Sequence, residues 1–157
     1  MERIPLLHLD ANRINARGLD QAMTQLERWR EAGTIEMEFS RTAYGEASRG
    51  SCARANKADE YTWSEGIDHI GDETDRLKAI ANIVFGKSPL NRNQANDVRI
   101  LYDAWKAGAA LITEDGNSNS QPRGILGSKK ELAQIGIVVL STNEAIERFR
   151  PLVKRNK

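Results

Sequence analysis

The sequence predicts an α/β fold of three layers, in which a central parallel sheet of about four strands is covered by helices on both faces. Three observations lead there. Short apolar runs alternate with stretches of helical period along the chain. Glycines and Ser-x-x-Glu boxes mark where the helices stop and start. The length, 157 residues, suits one domain with a continuous core.

Ile4 to Leu9 is nearly all apolar, as a strand buried on both faces would be. Leu19, Ala22, Met23, Leu26 and Trp29 then recur at helical spacing until Gly33, a natural helix stop. The alternation Ile35, Met37, Phe39 predicts a second strand, with Ser40 capping a helix that carries Glu46. Gly50 to Gly71 is the least readable stretch. From Asp72, the spacing of Leu77, Ile80, Ala81 and Val84 predicts a helix ending at Gly86, before a loop with Ser88-Pro89. Another helix, opened by Asp97, carries the stripe Val98, Leu101, Tyr102 and Trp105 and ends at Gly108. Ala109 to Thr113 reads as the third strand and Gly136 to Leu140 as the fourth. Capping boxes at Ser128/Glu131 and Ser141/Glu144 flank that last strand. The final helix is expected to stop near Pro151, so that 1–150 form the domain and 151–157 a basic C-terminal tail, PLVKRNK.

Composition narrows the function classes. The chain is 39% hydrophobic and 29% charged, a soluble globular balance. No apolar run is long enough to cross a bilayer, and the opening MERIPLLHLD does not resemble a secretory signal, so no membrane association and a cytoplasmic location are expected. Cys52 is the only cysteine, which excludes an internal disulfide and a thiolate metal site. A net charge of +1 argues against binding nucleic acid through bulk charge. Acids crowd the middle of the chain, whereas Arg13, Arg17, Arg28, Arg30, Arg41, Arg49 and Arg54 mark the first third; singly, such residues read as solvated surface. His8 and His69 have no partner at a spacing that suggests a metal ligand or a base.

Four acids stand apart. Asp10 closes the first strand, Glu46 lies in the helix after the second, Asp97 lies in the helix before the third, and Asp115 follows the third. In an open α/β sheet, ligands bind beyond the carboxyl ends of the strands where strand order reverses, so these acids can meet in one cleft. Hard divalent cations prefer such oxygen ligands. Asn12 and Thr113, each two residues from an acid, offer an amide and a hydroxyl to hold a carboxylate or a metal-bound water.

At these residues the sequence resembles the PIN-domain family of metal-dependent ribonucleases. HLDANRINAR matches its apolar strand ending in Asp, a small residue and Asn, at Asp10, Ala11 and Asn12; FSRTAYGEA supplies its helical Glu as Glu46. NDVRILYDAWKAGAALITED matches its last block at Asp97, Ala104, Gly108-Ala109 and Thr113-Glu114-Asp115. The resemblance implies a PIN-like, Rossmann-like fold and hydrolysis of RNA phosphodiesters, with Mg²⁺ or Mn²⁺ as cofactor. Asp10, Asp97 and Asp115 would be the metal ligands and Glu46 would orient a water or a second ion, making all four the catalytic set. Small members of the family serve as toxins of toxin-antitoxin modules, which implies an RNA substrate, an antitoxin partner and a homodimer.

Two other readings compete. A phosphatase of the haloacid dehalogenase type also places an Asp after its first strand, but wants a second Asp where Asn12 stands. The other is a catalytically silent RNA- or protein-binding module on the same scaffold, against which the presence of all four acids counts. The loop after Asp115, GNSNSQPRG, reads as a polar turn, with Asn117 or Asn119 approaching a metal as the alternative. Tyr61 and Trp63 read as packing under a loop, with base stacking or an interface as alternatives.

Overall fold

The first apolar run becomes β1 (Leu6–Leu9), with Leu7, His8 and Leu9 all buried, as expected of a strand covered on both faces. In this computed structural model residues 3–49, 62–64, 72–86, 89–116 and 123–155 are described, with the backbone alone at 62–64 and 72. β2 (Glu36–Ser40), β3 (Thr62–Ser64), β4 (Ala110–Ile112) and β5 (Val139–Leu140) complete one parallel sheet in the order β3-β2-β1-β4-β5. The strand beyond the four read from sequence is β3. It lies in the stretch Gly50 to Gly71, and three residues are too few to show a period.

The described helices are α1 (Ala11–Asn15), α2 (Gln21–Glu31), α3 (Arg41–Ala47), α4 (Asp72–Val84), α5 (Arg92–Ala107), α6 (Gly124–Gly127), α7 (Lys129–Gln134) and α8 (Thr142–Arg155). α2 packs on α8, and α4 packs on α5 and α7. Met23, Leu26, Ile80, Val98, Leu101, Tyr102, Ile146 and Phe149 from these helices bury themselves with Leu7, Leu9, Phe39 and Leu111 of the sheet. Among the described residues no helix is long and apolar enough to cross a membrane.

Several local expectations change. Leu19 is 82% exposed and lies ahead of the buried stripe of α2, because Asp20 caps that helix at Ala22 and Met23. α5 starts before Asp97: Asn91 and Gln94 form a reciprocal capping box, so Asp97 sits in the second turn and not at the helix mouth. Ser128 caps nothing. Its hydroxyl donates to the Gly124 carbonyl at 3.0 Å, because α6 runs almost directly into α7. The box at Ser141 and Glu144 does form, with both bonds at 3.2 Å. α8 continues through Pro151 to Arg155. Pro151 is exposed near the end of the helix, where water can satisfy the carbonyl left without an N–H partner. The readings made on Cys52, Tyr61, His69, Asn117, Asn119 and the Trp63 side chain lie outside the described residues.

The strand order fixes where a ligand would go. From β1 the chain adds β2 and then β3 on one side, and only afterwards places β4 on the other side of β1. Strand order therefore reverses between β1 and β4, and the cleft opens beyond their carboxyl ends. Leu9 pairs with Ile112, which puts Asp10 and Thr113 side by side just past the sheet; the Asp10 N–H closes the ladder on the Ile112 carbonyl at 3.0 Å.

Candidate active site

Asp10 leaves β1 with extended backbone and caps α1, its Oδ1 accepting the Ala11 N–H at 2.7 Å. Its Oδ2 accepts the Thr113 hydroxyl at 2.7 Å and the Asn12 amide at 3.4 Å. Thr113 Oγ1 in turn accepts Asn12 Nδ2 at 3.3 Å and the Asp115 N–H at 3.0 Å, so its one proton and both lone pairs are in use. Asp10, Asn12, Thr113 and Asp115 thus form one hydrogen-bonded unit. Only 4% of Asp10 is exposed. Burial pushes its carboxyl up to about 6; the Thr113 and Ala11 bonds oppose that rise, and the Glu46 and Asp115 charges add to it.

Asp97 and Glu46 join this unit through charge. Burial, then the charges of Asp10, Asp115 and Glu46, push the Asp97 carboxyl up to about 8. Among the described residues no donor reaches the Asp97 carboxylate. Glu46, half-buried on α3, accepts Asn96 Nδ2 at 2.8 Å across to α5. Asp115 is held at its other end by the start of α6: Ile125 N–H donates to Oδ2 at 3.1 Å, and Leu126 N–H donates to the Asp115 carbonyl at 2.9 Å. Gly116 and Gly124 make that turn possible, both at positive φ and backbone to backbone.

The four sequence-predicted acids therefore share one electrostatic environment. Among the described residues, however, no group of three or more His, Cys, Asp and Glu side chains is spaced to hold a metal ion directly. The donor chemistry still fits an oxygen-preferring divalent cation: all the donors are oxygens, and their mutual repulsion is what such a cation would relieve. His8 stays apart from this group. It is 1% exposed, with Nε2 3.6 Å from Glu38, and burial lowers its imidazole to about 4, so it is neutral at ordinary pH.

The sequence reading missed three polar residues around the site. Asn96 adjoins Asp97 but has no spacing that would flag it. Glu114 and Arg13 each adjoin a residue that was singled out, and Arg13 was counted only among surface charges. In fact Arg13 is buried, bonded through Nε to Asn12 Oδ1 at 3.0 Å.

No family model matches this sequence, and no curated protein matches it. Among solved structures, it is similar to a chain in the crystal structure of VapBC2 from Rickettsia felis bound to a DNA fragment from their promoter. The match has a TM-score of 0.55 at 14% identity and covers 87% of this chain and 98% of that one. The two chains share the α/β fold. At that identity the likeness concerns the arrangement of strands and helices, and the chemistry of the cleft rests on the residues described above.

Proposed function

We propose that this chain is a divalent-metal-dependent endoribonuclease and the toxin of a toxin-antitoxin pair. The observation that supports it most is the meeting of Asp10, Thr113 and Asp115 beyond β1 and β4, with Glu46 close enough to raise Asp10 and Asp97, and Asp97 raised also by Asp10 and Asp115. Negative groups at a phosphodiester site need a cation between them and the substrate. On this reading Asp10, Asp97 and Asp115 would hold Mg²⁺ or Mn²⁺. Such an ion supplies an activated water and neutralises charge on the phosphate.

The chain's own residues do the remaining work. Thr113 and Ala11 N–H keep Asp10 pointed into the cleft. Asn96 takes up Glu46 Oε1, which leaves the other carboxylate oxygen to orient a water. Asp97, raised by burial and three neighbouring acids, is the carboxyl whose ionisation a bound cation would favour most. Asn12 presents its amide to Asp10 and Thr113 and has no acidic proton to offer a leaving group, which disfavours the phosphatase reading.

The likeness to a VapBC2 chain favours a protein antitoxin as partner, and association as a homodimer belongs to the same reading. Calorimetry with Mn²⁺ tests the metal half: saturable binding by the parent, lost in Asp10→Asn, is the expected result. Light scattering that shows a monomer at high micromolar concentration would remove the dimer.

A further inference from the structure

We propose that Arg13 is a positioning residue for the acidic cleft: it fixes which way the Asn12 amide faces, and thereby directs the Thr113 hydroxyl proton onto Asp10. An asparagine side chain has a donor end and an acceptor end of nearly the same shape, so only its partners decide its orientation. Asn12 Oδ1 meets two donors, Arg13 Nε at 3.0 Å and the Glu114 N–H at 3.3 Å. Its Nδ2 consequently faces two acceptors, Asp10 Oδ2 and Thr113 Oγ1. With Asn12 Nδ2 and the Asp115 N–H filling both lone pairs of Thr113 Oγ1, its proton is left for Asp10 Oδ2 alone. A reversed amide would set a carbonyl against the Asp10 carboxylate and offer Thr113 a competing acceptor.

Arg13 is itself held by groups other than the four acids. Its Nη1 donates to Asp20 Oδ2 at 2.8 Å and to Thr142 Oγ1 at 3.1 Å, and lies 3.9 Å from Glu114 Oε1. Glu114 Oε1 also accepts the Thr142 N–H at 2.9 Å. Nη1 thus joins α1 to the cap of α2 and the first residue of α8, while Nε is the atom aimed at Asn12. The planar fork of arginine allows both at once; the single ammonium of lysine does not. Arg13→Lys therefore separates the two roles, since it can keep the pair with Asp20 and lose the bond to Asn12.

The consequence for metal affinity rests on the proposed cation site, whereas the orientation of Asn12 does not, and two readouts separate them. In the metal-free protein, proton exchange of the Asn12 side-chain amide is followed by NMR for the parent and Arg13→Lys; Mn²⁺ affinity of both is measured by calorimetry. Slow Asn12 exchange in the parent, at least tenfold faster exchange in Arg13→Lys with cooperative unfolding retained, and Mn²⁺ binding weaker by about 10–100-fold are expected. Equal Asn12 exchange in the two proteins overturns the proposal. Should Arg13→Lys not fold, the parent's Arg13 Nε proton decides, since Asn12 holds it: slow exchange supports the proposal and exchange at the rate of a free guanidinium overturns it. Protected Asn12 and Arg13 protons in a parent that binds no Mn²⁺ support the positioning role and overturn the metal reading alone.

Discussion

The Thr113 hydroxyl donates to Asp10 Oδ2 at 2.7 Å, and this bond ties the ends of β1 and β4 together where strand order reverses. Thr113 is fully buried and bonded through every position its oxygen offers. Thr113→Val keeps the shape but strands the Asp115 N–H, removes the hydroxyl donor to Asp10 and leaves the Asn12 amide only its longer bond to Asp10, and is expected to cost about 1–3 kcal/mol in urea unfolding. Thr113→Ser keeps the hydroxyl and is expected to lose less. A valine variant within about 0.5 kcal/mol of the parent would show the network to be slack.

Gly116 and Gly124 are expected to tolerate no side chain. A Cβ on Gly116 would stand 2.1 Å from the Arg123 carbonyl oxygen, and one on Gly124 would stand 2.6 Å from the Gly116 Cα, with both residues at positive φ. The obstacles are backbone atoms, which cannot swing aside. Either alanine should cost about 3 kcal/mol or more in unfolding experiments. Gly33→Ala, at positive φ but with nothing within 4 Å, is the control and should cost about 1 kcal/mol.

Metal-free stability is expected to fall as pH rises above neutrality. Asp97 is raised from 3.8 to about 8 and Asp10 from 3.8 to about 6, so in those windows the folded chain keeps protons that the unfolded chain has released. Stability then declines with pH. His8 acts in the opposite sense: lowered from 6.5 to about 4, it leaves the folded chain short of a proton below pH 6.5, and stability rises with pH through that window. Asp10 and His8 oppose one another on the acid side, and from about pH 6.5 to 8 Asp97 is left as the main contributor. Unfolding free energies from denaturant titrations across that range should fall by up to about 1.4 kcal/mol per pH unit for one proton. Asp97→Asn should flatten the slope and, at pH 8, exceed the parent by about 1–2 kcal/mol after allowance for solvent screening. A parent whose midpoint does not change over this range would contradict the assignment.

The strands that carry the cleft were legible because burial on both faces leaves apolar runs, as in β1, which ends next to Asp10, and in Ala110–Ile112, three residues ahead of Asp115. Helix stops at glycine were legible from local sequence, and Gly108 does end α5, in the left-handed conformation. What escaped was non-local or too short. β3 is an edge strand of three residues, and the α5 cap lies in Asn91 and Gln94, ahead of the apolar stripe that marked the helix. Ser128 matched a capping pattern, but α6 delivers the chain to it in a conformation that is not that of a cap. Arg13 read as surface because nothing along the sequence places Asp20, Thr142 and Glu114 around it; the fold does.

The most direct measurement is the rate at which a pool of single-stranded and structured RNA is cut by the parent and by Asp10→Asn, each titrated with Mg²⁺ and with Mn²⁺ and then treated with EDTA. Cleavage by the parent that rises with metal, stops in EDTA and drops by at least about 100-fold in Asp10→Asn is the expected result, a loss of about 2.7 kcal/mol of transition-state stabilisation. Cleavage that EDTA leaves unchanged, or that Asp10→Asn performs as well as the parent, would contradict a metal-dependent nuclease built on these four acids.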